Sequence, residues 1–174
     1  MAKPDDKNRT LSFQRGAKAP TMASVGRLAG VSQVTVSRAL SDPSKVSAET
    51  LSRINEAIRI TGFVPNAVAG ALASQKSKLV SALVPSITNP IYSSMIGPFS
   101  ARLRAKGYQI LLSETGLDPE EEYLAVQKHL SRRPDAVLLT GVQHSTETRR
   151  LLLAAGIPVV EVWEVTNTPI DICV

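Results

Sequence analysis

Residues Thr21–Leu40, TMASVGRLAGVSQVTVSRAL, read as two short helices broken by one tight turn. Thr21 is placed to cap the first helix, in which Val25, Leu28 and Ala29 recur at helical spacing. Gly30 permits the positive φ that ends such a helix, and Val31 can plug the angle behind it. Ser32 then caps a second helix, whose inward stripe is predicted at Val36, Ala39 and Leu40. Its opposite face carries Gln33, Thr35, Ser37 and Arg38, short polar groups with one long guanidinium. Two helices at a steep angle around a glycine turn, the second polar outside, describe a helix-turn-helix.

Charge divides the chain in the same sense. Residues 1–78 carry 12 Lys/Arg against 5 Asp/Glu, a net of +7, whereas residues 79–174 carry 8 against 10, a net of −2. A basic first part and a mildly acidic second part point to a polyanion-binding module joined to something with another task. Cys173 is the only cysteine, so an internal disulfide framework is excluded and the cytosol is the expected compartment. No apolar run approaches the ~20 residues needed to span a bilayer, and MAKPDDKNRT lacks the apolar core of a secretory signal.

Residues 1–20 are polar and aperiodic, which predicts a disordered leader whose five Lys/Arg add phosphate attraction without sequence reading. Asp42-Pro43 marks a turn. Ser47 caps a third helix, with Glu49 in its first turn and a stripe of Leu51, Ile54, Ala57 and Ile58. Gly62 ends it and Phe63 is placed to cover the small core, so the first domain spans 21–63. Val64–Ala73, VPNAVAGALA, is a short helix opened by Pro65 within a linker of 64–78. A helix of this length is marginal alone, and Gly70 costs it roughly 1 kcal/mol relative to alanine. Such a segment is poised to order against a partner.

From Leu79 the pattern changes. LVSALVP, YQILLSE (Tyr108–Glu114), DAVLLT (Asp135–Thr140) and IPVVEVW (Ile157–Trp163) read as strands. Helices are predicted at Ile91–Lys106, Asp118–Arg132 and Thr146–Ala155, the first with Ile96, Phe99 and Leu103 on one side. Alternation of helices with continuous apolar strands predicts a parallel sheet covered on both faces over 79–174. Gly97-Pro98 falls inside the first of these helices and predicts a bend there or a later start.

The string V-x-x-LAGVS-x-x-TVSRAL resembles the recognition segment of the LacI-type bacterial transcription regulators. P-N-x-V-A-x-x-L-A is similar to the family's hinge helix, and LVPSITNPIY to the first strand and loop of its sugar-sensing core. VPSITNP, GIPVVEVWE and PIDICV look most like the gluconate-repressor branch. The resemblance implies an α plus α/β architecture: a three-helix DNA-binding domain, a hinge helix, and part of a periplasmic-binding-protein-like core. Family chains are longer, so only the N-terminal core subdomain and one wall of the effector cleft are expected here. Where the family usually has alanine after the first helix valine, this chain has Gly26, which is expected to loosen helix one.

The resemblance implies a homodimer on pseudo-palindromic operator DNA, working as a repressor in the cytoplasm at the bacterial nucleoid. No cofactor, metal or membrane is implied; a sugar or sugar-acid effector is. Base readout falls to Gln33, Val34 and Arg38, the last suited to guanine O6/N7 and the first to adenine N6/N7. Thr21, Ser32, Thr35, Ser37, Ser47 and Thr50, with Asn66 at the hinge, are placed as phosphate contacts, although each serine or threonine alone also reads as a helix cap. Lys45 is a weaker candidate. Leu72 occupies the position of the minor-groove wedge; the alternative is a linker residue packed on its own domain. For an effector, Ser86, Asn89 and Pro90 follow strand one, and Thr115, Thr140 and Trp163 lie near later strand ends, where ligands of such sheets bind. Two other readings remain: a truncated regulator that binds DNA without sensing, and a small-molecule-binding or enzymatic α/β domain. For catalysis, His129 and His144 are far apart, Cys173 has no placed base, and Asp118–Glu122 reads as a charged helix start. No G-x-G-x-x-G follows a strand, and no spaced metal ligands stand out.

Overall fold

A computed structural model describes residues 19–174, divided into two compact units, one ending at Pro65 and the other running from Asn66 to Val174. The expected disordered leader lies, up to Lys18, outside the described residues.

The first unit is three helices. Helix α1 (Met22–Ala29) is opened by a reciprocal capping box between Thr21 and Ser24 and closed by Gly30 at φ 67°. Helix α2 (Gln33–Ser41) starts at the Ser32 cap, and a short 3-10 turn (Pro43–Lys45) leads to α3 (Ala48–Thr61). Val25, Ala29, Val36, Ala39, Ile54, Ala57 and Phe63 form its core, with Val31 half-buried against them. Leu28, which shares the helical spacing of Val25 and Ala29, is nevertheless 52% exposed. At about 100° per residue, Val25, Ala29 and Gly26 span a buried arc, and Leu28 falls about 60° beyond its edge. Leu40, 36% exposed, likewise sits at the margin of the stripe. Gly26 is buried where the turn folds back, and a Cβ there would lie 2.7 Å from the Val31 carbonyl oxygen. The glycine therefore allows a close approach rather than slackening α1.

The second unit opens with helix α4 (Ala67–Ser74) and continues with β1 (Leu79–Val84), α5 (Pro90–Ala105), β2 (Gln109–Glu114), α6 (Pro119–Leu130), β3 (Ala136–Thr140), α7 (Thr146–Ala155) and β4 (Val159–Val162). A two-residue strand β5 (Ile172–Cys173), not foreseen from its composition, pairs with β4. The sheet is parallel throughout, in the order β2-β1-β3-β4-β5. Leu83, Val137, Leu139 and Val159 pack with Val126 of α6 and Leu152 of α7. The alternate residues Val80, Ala82, Val84 and Leu138 are buried too, so both faces of the central strands are covered. The expected late start at Pro98 is not found: α5 begins at Pro90, a favourable first-turn proline, and runs through Pro98. Ser94, Gly97 and Pro98 are exposed, so water can satisfy the carbonyl that Pro98 leaves without a helical partner.

Candidate nucleic-acid interface and strand-end cavity

On α2, Gln33, Ser37, Val34 and Arg38 fall in order within one arc of about 140°, while Val36 and Ala39 point the opposite way into the core. All four are exposed, Val34 at 66%. Arg38 makes no ion pair among the described residues, so nothing there competes for its guanidinium. Lys45 is held 3.3 Å from Asp42.

The hydroxyl set is built around helix starts. Ser32 Oγ accepts from the Thr35 amide at 3.1 Å and lies 2.9 Å from Thr35 Oγ1. Ser47 Oγ accepts from the Thr50 amide at 3.2 Å and donates to Thr50 Oγ1 at 2.9 Å. Each pair closes its own cap yet leaves one hydroxyl proton for an outside acceptor, beside amides at the positive end of a helix. Thr21 is engaged in its capping box, and Thr35 and Thr50 are half-buried. Ser37 is exposed.

Helix α4, in the second unit, is capped by Asn66, whose Oδ1 accepts from the amides of Val68 at 3.0 Å and Ala69 at 3.4 Å. Val68 and Leu72, one turn apart, are 70% and 73% exposed. Leu72 thus presents most of its side chain to solvent.

At the carboxyl ends of the strands lies a cavity of about 550 Å³, lined by Thr115, Glu122, Thr140, Gln143, Tyr92 and Trp163 among others. Ser86, Asn89 and Pro90 do not line it: Asn89 caps α5, Pro90 is its first residue, and Ser86 Oγ bonds Thr88 Oγ1 at 3.1 Å. Trp163 has φ +85° and meets Tyr92 edge-on at 5.7 Å.

Glu122 and His144 were not singled out for this place. His144 Nδ1 lies 2.9 Å from Glu122 Oε1 and Nε2 lies 3.1 Å from the Gly141 carbonyl, so both ring nitrogens face acceptors and the imidazolium satisfies them. Burial opposes that charge, but the Glu122 hydrogen bond, the charges of Glu122 and Glu161, and the Gly141 carbonyl together raise the His144 pKa above its usual value. Glu161 is fully buried; its Oε2 accepts from the Ile170 amide at 2.6 Å, and its Oε1 is 3.5 Å from His144 Nε2 and 3.8 Å from Arg149. The sequence signal was a lone acid inside the apolar strand VVEV. His129 is apart from this group, bonded to Ser113 at 2.7 Å, with its pKa lowered by burial and by Arg132. Among the described residues no group of three or more His, Cys, Asp or Glu is arranged to hold a metal ion, and no helix is long and apolar enough to cross a membrane.

Residues 21–66 match the model of the bacterial regulatory proteins of the lacI family. The chain is 35% identical over 148 residues to the HTH-type transcriptional regulator GntR of Pseudomonas aeruginosa, covering 85% of this chain and 43% of that protein. A LacI-family transcriptional regulator from Silicibacter pomeroyi superposes with a TM-score of 0.80 at 37% identity, over 89% of this chain and 46% of that one. The lac repressor dimer bound to operator and the anti-inducer ONPF superposes with a TM-score of 0.74 at 26% identity, over 89% and 48%. The fold of both units is thus that of LacI-family regulators, and the chain spans less than half the length of these relatives.

Proposed function

We propose that the chain, whose residues 21–66 match the model of the lacI family, is a sequence-specific DNA-binding transcription regulator, a repressor of sugar or sugar-acid metabolism genes. It works in the cytoplasm, at the nucleoid, as a homodimer on a pseudo-palindromic operator. The observation that carries this reading is the outward arc of α2, with Gln33, Val34 and Arg38 exposed opposite the buried Val36 and Ala39. Arg38 offers a bidentate contact to guanine, Gln33 one to adenine, and Val34 an apolar contact to a thymine methyl. Ser37 and the hydroxyls of the Ser32–Thr35 and Ser47–Thr50 caps, with Thr21 and Asn66, bind phosphates and set register. Leu72, exposed on α4, serves as the wedge that unstacks a central base step.

The strand-end cavity receives the effector, a sugar or sugar acid, against the hydroxyls of Thr115 and Thr140 and the indole of Trp163. Its binding loosens the hinge and lowers operator affinity. A second reading is DNA binding with no effector response; the open mouth of the cavity, with Leu117 89% exposed and Trp163 49% exposed, supports it.

The test is selection of random duplex DNA by this chain at two salt concentrations, with and without added sugars and sugar acids. The regulator reading expects an enriched pseudo-palindrome with a flexible central step. Steeply salt-dependent binding blind to sequence would reduce the chain to a phosphate binder.

A further inference from the structure

Helix α4 ends at Ser74, and the chain reaches β1 at Leu79 through a connection with two non-glycine residues in the left-handed region, Gln75 at φ 56° and Lys78 at φ 58°. Such residues persist only where their surroundings over-determine them. Gln75 sits in a turn closed by Ser74, whose hydroxyl donates to the Lys76 carbonyl at 3.2 Å and accepts from the Lys76 amide at 3.3 Å, whereas Lys78 is held chiefly by a carboxylate from across the sheet. Asp135, immediately before β3, accepts from the Ser77 amide at 2.8 Å and the Ser77 hydroxyl at 3.0 Å through Oδ1, and from the Lys78 amide at 3.2 Å through Oδ2. The Asp135 amide in turn donates to the Leu79 carbonyl at 2.8 Å, and the Gln109 amide donates to the Lys78 carbonyl at 2.8 Å. The Lys78 ammonium lies 4.6 Å from the centre of the Tyr108 ring. Asp135 makes no ion pair among the described residues; its carboxylate is satisfied by the two residues it holds.

We infer that Asp135 is a positioning residue for DNA recognition: its carboxylate clamps Ser77 and Lys78 and so fixes where α4 leaves the sheet. Only Gln75 and Lys76 separate the last residue of α4 from the first clamped one, so the helix cannot stray far from the anchor. A wedge such as Leu72 works only if delivered in one place. A loose exit spreads α4 over many positions, and the productive one becomes a small fraction. The clamp thus contributes to specific binding without touching DNA. This inference rests on the regulator reading of the preceding subsection.

The test compares the full chain with Asp135→Ala and Asp135→Asn. The asparagine keeps an acceptor for Ser77 but turns an N–H group towards the Lys78 amide. Two readouts are needed: amide hydrogen exchange at residues 77 and 78, with Ala82 and Leu83 as controls for the fold, and affinity for the selected duplex relative to random duplex. In Asp135→Ala, exchange at 77 and 78 is expected to rise about tenfold or more with the controls unchanged. The specific-to-random affinity ratio is expected to fall about tenfold while random-duplex affinity holds, with Asp135→Asn in between. Unchanged exchange at 77 and 78 overturns the clamp. Faster exchange with an unchanged ratio overturns its role in recognition. A wild-type chain that does not discriminate between the two duplexes overturns the regulator reading itself, and this role with it.

Discussion

Arg38 is the only cation on α2 and stands on its outward arc. Replacing it by alanine is expected to relax preference at one base position and cost ~1–3 kcal/mol on the selected duplex. Binding measured against single-base variants of that duplex checks this; an equal loss on every sequence would make Arg38 a phosphate contact. His144 makes a different kind of prediction. Its pKa is raised in the folded state, so its stabilising contribution is complete below about pH 6.5 and is lost as pH rises through the raised value. His129, lowered by burial and Arg132, acts on the other side of that value and weakens the fold as pH falls from about 6.5 through its lowered pKa. The wild-type melting curve alone therefore mixes the two. The difference in melting temperature between wild type and His144→Gln isolates His144, and is expected to be larger at about pH 6 than at about pH 9. An equal difference at both would mean that folding leaves the His144 pKa unchanged, and a smaller one at about pH 6 that the ring is held neutral, either of which would contradict the raised pKa.

Among the elements, α4 is the one whose stability and function can be varied separately. It has eight residues, a single Asn66 cap, and nothing within 4 Å of a Cβ built at Gly70. Gly70→Ala is expected to favour the helix by about 1 kcal/mol and, if α4 orders as it engages DNA, to raise specific affinity by up to about fivefold. Leu72→Ala should do the reverse: specific affinity and bending fall, while random-duplex binding is spared because Leu72 carries no charge. Gel-shift titration with a permuted-site bending assay reads both variants. The caps and core contacts of helices α2 and α3 lie within the unit ending at Pro65.

The two units also differ electrostatically. Residues 1–65 carry ten Lys/Arg and five Asp/Glu, whereas residues 66–174 carry ten of each. A fragment of residues 1–65 is expected to bind duplex DNA with a steep salt dependence but little sequence choice, and a fragment of residues 66–174 to bind negligibly. Titrations at several salt concentrations check both. Sequence choice from residues 1–65 alone, equal to that of the full chain, would remove the need for α4 in recognition. At this scale the strand-end cavity is one-sided, with Trp163 and Leu117 exposed at its mouth. Effector response is therefore a property to be measured on this chain, alongside its DNA binding.

The amino-acid sequence determined the helix-turn-helix because its instructions are local. Thr21, Ser32 and Ser47 cap the helices that follow them, Gly30 and Gly62 take the left-handed conformation that ends helices, and Val25, Val36 and Ile54 recur where a core needs them. The four main strands were legible for the same reason, as apolar runs bounded by turn residues. Charged and polar side chains were read less well, because their partners lie far off in sequence. Glu122 looked like the start of a helix until the fold set it against His144, and Asp135 like the first residue of a strand until Ser77, 58 residues away, came within 2.8 Å. The short strand β5 exists only because β4 offers it a free edge to pair with. Caps and periodic stripes act within a turn or two of the chain; clamps, buried ion networks and edge strands depend on proximity that only the folded backbone creates.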